Sequence, residues 1–305
     1  MWFVKALVGS GHRVLAAVRG PLDGYDGLKA ARLKQISNGA FLVPNVPFGS
    51  DAFLDIVRQE GPFDLLYHHA ADATNYKSID FDAVAALDSN TRNLRKLLLA
   101  LREAGCSKIV LTGSVFEMGE GAGSFPSRAF SPYGLSKSLT ANTFGFYCDQ
   151  EGFGLSKFVI PNPFGPFEEP RFTEYLMRCW TRGETAAVNT PAYVRDNIHV
   201  SLLAHAYRNF AEQAVDTGYV QLNPSGYVET QGAFATRFAY EIGRRLEIEA
   251  ALRLVDQREF PEPAVRINTD KLYRAQVDWS EDEAWNELAC YYAERFRLSC
   301  REVRS

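Results

Sequence analysis

Lys108-Ile109-Val110-Leu111-Thr112, then a segment over 132–150, then Ser156-Lys157-Phe158-Val159-Ile160-Pro161 is the stretch that decides the fold. Its two ends are nearly continuous apolar runs of strand length, and the segment between them reads as a helix. A strand without polar alternation has both faces buried, which points to a parallel sheet covered by helices on either side. The same rhythm recurs outward from it. Residues 1–10 place Phe3, Val4, Leu7 and Val8 on one helical face, with Gly9 and Gly11 ending the helix. Residues 13–18 and 40–43 read as short buried strands, 52–59 as a helix, and 63–68 as a strand that runs into His69-Ala70-Ala71. Residues 81–104 read as one long amphipathic helix closed by Gly105. Strands alternating with helices predict an α/β chain with a doubly wound parallel sheet.

After Pro161 the rhythm loosens. Pro163, Pro166 and Pro170 crowd together, and helices and short strands follow. The expected division is a sheet domain over 1–161 and a smaller lobe over 162–305 that returns segments to the sheet. A chain of 305 residues suits one large domain with such a lobe. Apolar residues at 46% and charged residues at 23% describe a folded chain, and a net charge of −4 argues against nucleic acid as a partner. No stretch approaches the roughly 18 apolar residues of a membrane span. The N-terminus lacks the small-residue cleavage site of a secretory signal. Cys106, Cys148, Cys179, Cys290 and Cys300 are odd in number and scattered with no close pair, so they read as thiols in a reducing cytoplasm and neither as a disulfide framework nor as a metal site.

Tyr133-Gly134-Leu135-Ser136-Lys137 carries the first chemical signal. Tyr133 and Lys137 lie one helical turn apart on one face. An ammonium held there favours the phenolate and makes the phenol a usable acid/base near neutral pH. Ser114 follows the strand that ends at Thr112-Gly113, at the carboxyl edge where parallel sheets present ligand-binding groups.

The order of these words resembles extended short-chain dehydrogenases/reductases, and more narrowly the NAD-dependent epimerase/dehydratase family that acts on nucleotide sugars. The motifs that carry the resemblance come in chain order. Gly9-Ser10-Gly11-His12-Arg13-Val14 is similar to the family's LxxxGHxV junction, His68-His69-Ala70-Ala71 to its HLAA, and Asn90 to the asparagine of its NVxGT helix. Strand-plus-serine and YxxxK come next, followed by Asn162-Pro163-Phe164-Gly165-Pro166 and Tyr193-Val194-Arg195-Asp196-Asn197-Ile198-His199-Val200. Asn268-Thr269-Asp270-Lys271-Leu272 with Val277-Asp278-Trp279 resembles the closing D-x-x-K…LGW segment.

The resemblance implies a Rossmann-type sheet over 1–161 that binds a dinucleotide and a smaller C-terminal substrate-binding lobe. It implies Tyr133 as proton donor or acceptor at a carbonyl/hydroxyl carbon, Ser114 polarising that oxygen, and Lys137 on the nicotinamide-ribose hydroxyls. Arg19, Ala70, Ala71, Asn90, Thr112, Tyr133, Lys137 and Pro161 then belong to the cofactor, and Ser114, Asn162 and Arg195 to the substrate. A guanidinium fork at Arg195 suits a sugar-nucleotide diphosphate. The implied activity is keto reduction or epimerisation of a nucleotide-linked sugar in a cytoplasmic homodimer paired through the helices over 81–104 and 133–150. A reductase of a small non-nucleotide ketone and a non-catalytic dinucleotide-binding scaffold are the alternatives. Family dehydratases carry Asp-Glu directly after the hydroxyl residue; Val115-Phe116 stand there, with Glu117 one position late and expected to point elsewhere, so dehydration is disfavoured. NAD-using relatives end the second strand with an acidic residue. Val18-Arg19-Gly20-Pro21 puts an arginine there, which favours NADP over NAD.

In the family a first strand runs into G-x-x-G-x-x-G before the first helix. Counting back from Gly11-His12, Met1 falls just after the third glycine. A gap or a substitute strand is therefore expected mid-sheet, between the strands at 13–18 and 63–68. The natural protein is expected to begin upstream, with Met1 an internal methionine or a misassigned start.

Overall fold

The apolar runs of the first 160 residues fold as strands within a few residues of their expected bounds: β1 (Leu15–Ala17), β2 (Phe41–Val43), β3 (Leu66–His68), β4 (Lys108–Ser114) and β5 (Gly154–Ile160). The computed structural model describes residues 1–123, 128, 129, 131–272 and 279–300. Val277 and Asp278 of the closing motif lie outside the described residues. The chain divides into two compact units, Met1–Gly121 with Pro126–Ile160 and Ala206–Pro224, and Ala122–Phe125 with Pro161–His205 and Ser225–Ser305.

The helices of the first unit are α1 (Trp2–Gly9), α2 (Gly27–Lys34), α3 (Asp51–Glu60), α4 (Ala83–Thr91), α5 (Leu94–Glu103) and α6 (Pro132–Glu151). The single helix expected over 81–104 is broken into α4 and α5. Asn93 adopts the left-handed conformation (φ 52°) and donates its side-chain amide to the Gly49 carbonyl at 2.9 Å. Gly49 itself approaches so closely that an added Cβ would lie 1.9 Å from the Arg92 carbonyl oxygen. The loop at 49 thus takes up the main chain of the break. Tertiary contact has overridden the helical period, which α5 resumes with Leu97, Leu98 and Leu101 buried against Ile109, Leu111 and Phe144. Each such leucine contributes about 1.5–3 kcal/mol by leaving water.

β3, β4, β5 and β9 (Tyr219–Leu222) form one parallel sheet in that spatial order. β1 and β2 form a separate parallel pair, Leu15 beside Phe41. No strand bridges the two sheets among the described residues, so the interruption expected between 13–18 and 63–68 is present. α1 packs its Phe3 ring on Tyr207 (4.0 Å between centroids) and on His69 (5.2 Å). Tyr207 belongs to α8 (Val200–Glu212), whose residues from Ala206 onward fall in this unit.

In the second unit, β6 (Asn162–Phe164) pairs with β8 (Val194–His199), and β8 pairs in turn with Tyr227–Thr230 and Val265–Arg266. A further strand, β7 (Ala186–Val188), runs parallel to Leu252–Leu254. The core joins Phe164, Trp180, Phe238, Trp285 and Tyr292 from β6, α7 (Phe172–Trp180), α9 (Gln231–Leu246) and α10 (Glu281–Phe296). Asp196, fully buried, accepts from Gly226 N at 2.7 Å and Asn268 N at 3.1 Å, so the Asn268 motif is pinned to β8. The cysteines are less scattered than their spacing suggests: Cys290 and Cys300 meet across the end of α10 with Sγ atoms 2.8 Å apart.

Candidate active site

β4 extends through Ser114, which pairs in register with Ile160 and is buried as the last residue of the strand, not placed on the following loop. The chain then closes a tight turn. Glu117 N donates to Ser114 O at 3.0 Å, Phe116 N to Ser114 Oγ at 3.3 Å, and Ser114 N to Glu117 Oε1 at 2.7 Å. Glu117 thus reaches back to the Ser114 N–H, while the Ser114 hydroxyl takes the amide of Phe116, so the turn is closed from both sides.

α6 begins with Ser131 accepting from Gly134 N at 3.1 Å and Pro132 in the first turn. Gly134 lets the helix rest on that turn, since a Cβ there would sit 2.1 Å from the Phe116 carbonyl oxygen. Ser138 Oγ accepts from Met118 N at 2.7 Å and completes the docking. Tyr133, half-buried, is ringed edge-on by Tyr76, Phe81 and Phe116 at 5.7, 6.0 and 6.1 Å. Phe81 also lines a cleft of about 450 Å³ with Asp72, Asn75, Ser78 and Ser89. Lys137 is fully buried and donates to the Thr112 carbonyl at 2.6 Å. Burial pulls its ammonium below the usual lysine range, Glu117 opposes that shift, and Lys157 adds to it.

The first unit therefore brings Ser114, Tyr133, Lys137 and Thr112 together at the carboxyl end of β4 and the start of α6. Asn90, expected at the cofactor, is buried with its amide donating to Thr140 Oγ1 at 3.1 Å, and its carbonyl accepts His68 Nε2–H at 2.9 Å. It ties β3, α4 and α6 together. Ala70 and Ala71 follow β3, and the Ala71 carbonyl accepts from Arg19 at 2.9 Å. His69 shares hydrogen bonds with Thr112 Oγ1 (2.5 Å) and Tyr207 OH (3.0 Å). Burial, reinforced by the α-amino group and Lys137, pushes its pKa down to about 3.

Pro161, Asn162 and Arg195 lie in the second unit. The Asn162 Nδ2 is buried without a hydrogen-bond partner among the described residues. Arg195 is engaged within its own unit. It donates to the carbonyls of Val194, Pro263 and Ala264 at 3.0–3.3 Å, pairs with Glu262 at 3.2 Å, and stacks over Tyr193 at 4.2 Å.

Sequence reasoning missed a buried cluster. Glu117 turns back beneath Ser114 and accepts from its main-chain N–H. Lys157, on β5, contacts Glu117 Oε2 at 2.7 Å as an ion pair outside hydrogen-bond geometry, and Glu120 Oε1 at 2.8 Å. The signal was a lysine inside an apolar strand, which a buried acid has to accompany.

The model of the NAD dependent epimerase/dehydratase family matches residues 2–220. Sequence comparison with curated proteins gives no match. Among solved structures, the UDP-glucuronic acid 4-epimerase of Bacillus cereus, in complex with UDP-4-deoxy-4-fluoro-glucuronic acid and NAD, superposes with TM-score 0.72 at 13% identity, over 96% of this chain and 95% of that one. UDP-glucose 4-epimerase of Thermotoga maritima gives 0.68 at 16% identity, over 96% and 94%. DesIV, a dTDP-glucose 4,6-dehydratase of Streptomyces venezuelae with NAD and TYD bound, gives 0.68 at 18%, over 96% and 92%.

Proposed function

The chain belongs to the NAD dependent epimerase/dehydratase family, and on that premise we propose that it is an NAD(P)-dependent oxidoreductase or epimerase of a nucleotide-linked sugar, working through Ser114, Tyr133 and Lys137. The observation that carries this reading is the Lys137 ammonium fixed on the Thr112 carbonyl, one turn beyond Tyr133 at the carboxyl edge of a parallel sheet. These groups fit the nicotinamide-ribose end of a dinucleotide. Gly9 and Gly11 stand at the C-terminal end of α1 and do not form a pyrophosphate cradle at its N-terminus.

The nicotinamide, when bound, supplies the hydride acceptor and donor. Tyr133 Oη moves the proton at the substrate oxygen, Lys137 holds positive charge beside the phenol and the ribose, and Ser114 Oγ donates to the same oxygen. Asn162 offers a buried amide to the substrate. Arg195 is assigned to its diphosphate. Residues 1–161 carry the cofactor in this reading and 162–305 mainly the substrate. Val115 and Phe116 leave no paired acids for dehydration, so epimerisation or keto reduction is the reaction. Arg19 stays exposed after donating to Ala71, and a guanidinium there favours the 2′-phosphate of NADP. The protein is assigned to the cytoplasm as a homodimer; no described helix is long and apolar enough to cross a membrane.

A second reading, reduction of a small ketone without a nucleotide, is favoured by the engagement of Arg195 with Glu262 and three carbonyls. Thermal shift with NAD+ or NADP+ and a panel of UDP-, dTDP-, GDP- and CDP-sugars separates the two. A sugar nucleotide that raises Tm in the presence of cofactor supports the first reading. Stabilisation by cofactor alone, with NADPH consumed on a small ketone, supports the second.

A further inference from the structure

A glutamate turned inward beneath Ser114 and a lysine inside an apolar strand have no part in the chemistry just described. Glu117, with its side chain 1% exposed, accepts from Ser114 N at 2.7 Å and pairs with Lys157 at 2.7 Å. Lys157 also meets Glu120, whose oxygens accept from Gln221 Nε2 and Asn223 Nδ2 at 3.0 and 2.8 Å. The slot that admits them is cut by Gly113. A Cβ at that position would lie 2.8 Å from Lys157 Cε and 3.0 Å from Glu117 Oε1. Three consecutive residues of β4 therefore serve one arrangement: Thr112 holds Lys137, Gly113 leaves room, and Ser114 is held by Glu117.

We propose that Glu117 is a positioning residue whose carboxylate, clamped by Lys157, fixes the main chain of Ser114 and keeps Lys137 in its ammonium form. The proposal rests on the reading of Ser114 and Lys137 as site residues. Its physical basis is charge balance among side chains that are 8% exposed or less. Glu117 and Glu120 bring two negative charges and Lys157 one positive, so a single negative charge is left over, and a protonated Lys137 cancels it. Buried charges persist when they are paired, and an uncompensated one is strongly disfavoured. Of the groups near Lys137, His68 at the end of β3 and His69 just after it are held neutral by burial, the α-amino group lies beside His69, and Tyr133 precedes Lys137 on the same helix. The directions agree, since Glu117 raises the Lys137 pKa and Lys157 lowers it. Burial pulls Lys157 down as well, and its two carboxylates more than reverse that.

Closing the turn alone needs only an acceptor at position 117, so the charge is what separates the proposal from a structural role. The test is a titration of the full chain labelled with 13C at lysine Cε, with the Lys137 signal assigned by its loss in Lys137→Met. Glu117→Gln keeps the acceptor and is expected to lower the Lys137 midpoint by about one pH unit. Lys157→Gln is expected to raise it by a similar amount. Should Lys157→Gln fail to fold, the double variant Glu117→Gln with Lys157→Gln restores neutrality, and its midpoint is expected to return close to that of the wild type. Midpoints unmoved, or moved in the same direction by both single variants, overturn the proposal. Shifts as stated, with sugar-nucleotide turnover unaffected by Lys137→Met, uphold it and discard the catalytic reading of Lys137.

Discussion

The Arg19 guanidinium donates to the Ala71 carbonyl at 2.9 Å, joining the ends of β1 and β3 where no described strand joins their bodies. The residue proposed for the cofactor is thus also a hydrogen-bonded link between the β1–β2 pair and the sheet of β3. Replacing Arg19 by Asp is expected to weaken NADPH binding at least about tenfold relative to NADH, the scale of one lost charge-assisted hydrogen bond. Isothermal titration with both nucleotides checks it. A wild-type protein that already prefers NADH removes Arg19 from the recognition of a 2′-phosphate.

Tyr133→Phe is expected to lower turnover by at least about 100-fold while leaving the thermal midpoint and cofactor affinity near wild type. The phenyl ring keeps the edge contacts with Tyr76, Phe81 and Phe116 and loses only the hydroxyl. Turnover within a few fold of wild type would show that Tyr133 moves no proton.

Two glycines of α6 should respond oppositely to alanine. At Gly134 the added methyl meets the Phe116 carbonyl at 2.1 Å, so overpacking is expected to cost about 1–3 kcal/mol or more and to displace Tyr133. Gly145 has nothing within 4 Å, and alanine there is expected to stabilise by up to about 1 kcal/mol through helix propensity. Urea denaturation of both variants decides the signs.

Acid should unfold the protein through its buried histidines. Burial pushes His68, His69 and His199 down to about 3 from an unfolded value of 6.5. Between those values the unfolded state binds protons that the folded state refuses, so stability is full above pH 6.5 and is lost as the pH falls. Each histidine accounts for about 1.4 kcal/mol per pH unit in that window. Urea midpoints at pH 7, 6 and 5 should fall accordingly, and His199→Gln should flatten the slope by about a third of the histidine contribution. A midpoint independent of pH from 7 to 5 contradicts the neutral assignment.

Val84, Leu135 and Phe146 on α4 and α6 are 73%, 45% and 61% exposed. If these helices pair two copies, light scattering at micromolar concentration should give twice the mass of the chain, and Phe146→Glu should give the single mass. A monomeric wild type excludes this interface.

Strands and most helices followed from the sequence because their causes are local. Apolar runs bury both faces wherever helices cover the sheet, and a tyrosine and a lysine four residues apart share a face in any helix. The order of Ser114, Tyr133 and Lys137 was legible for that reason. What the sequence left open depends on partners distant along the chain. Asn93 breaks a good helical period because the Gly49 carbonyl takes its amide, and nothing near residue 93 announces this. Arg195 is occupied by carbonyls 68 and 69 residues away. Glu117 and Lys157, unremarkable in their own segments, become a buried pair only when β4 and β5 align with Leu111 beside Lys157 and Gly113 beside Val159. Periodicity decides which face a side chain occupies; packing alone decides which charge meets it there, because an ion pair depends on distance in space and carries no sequence period.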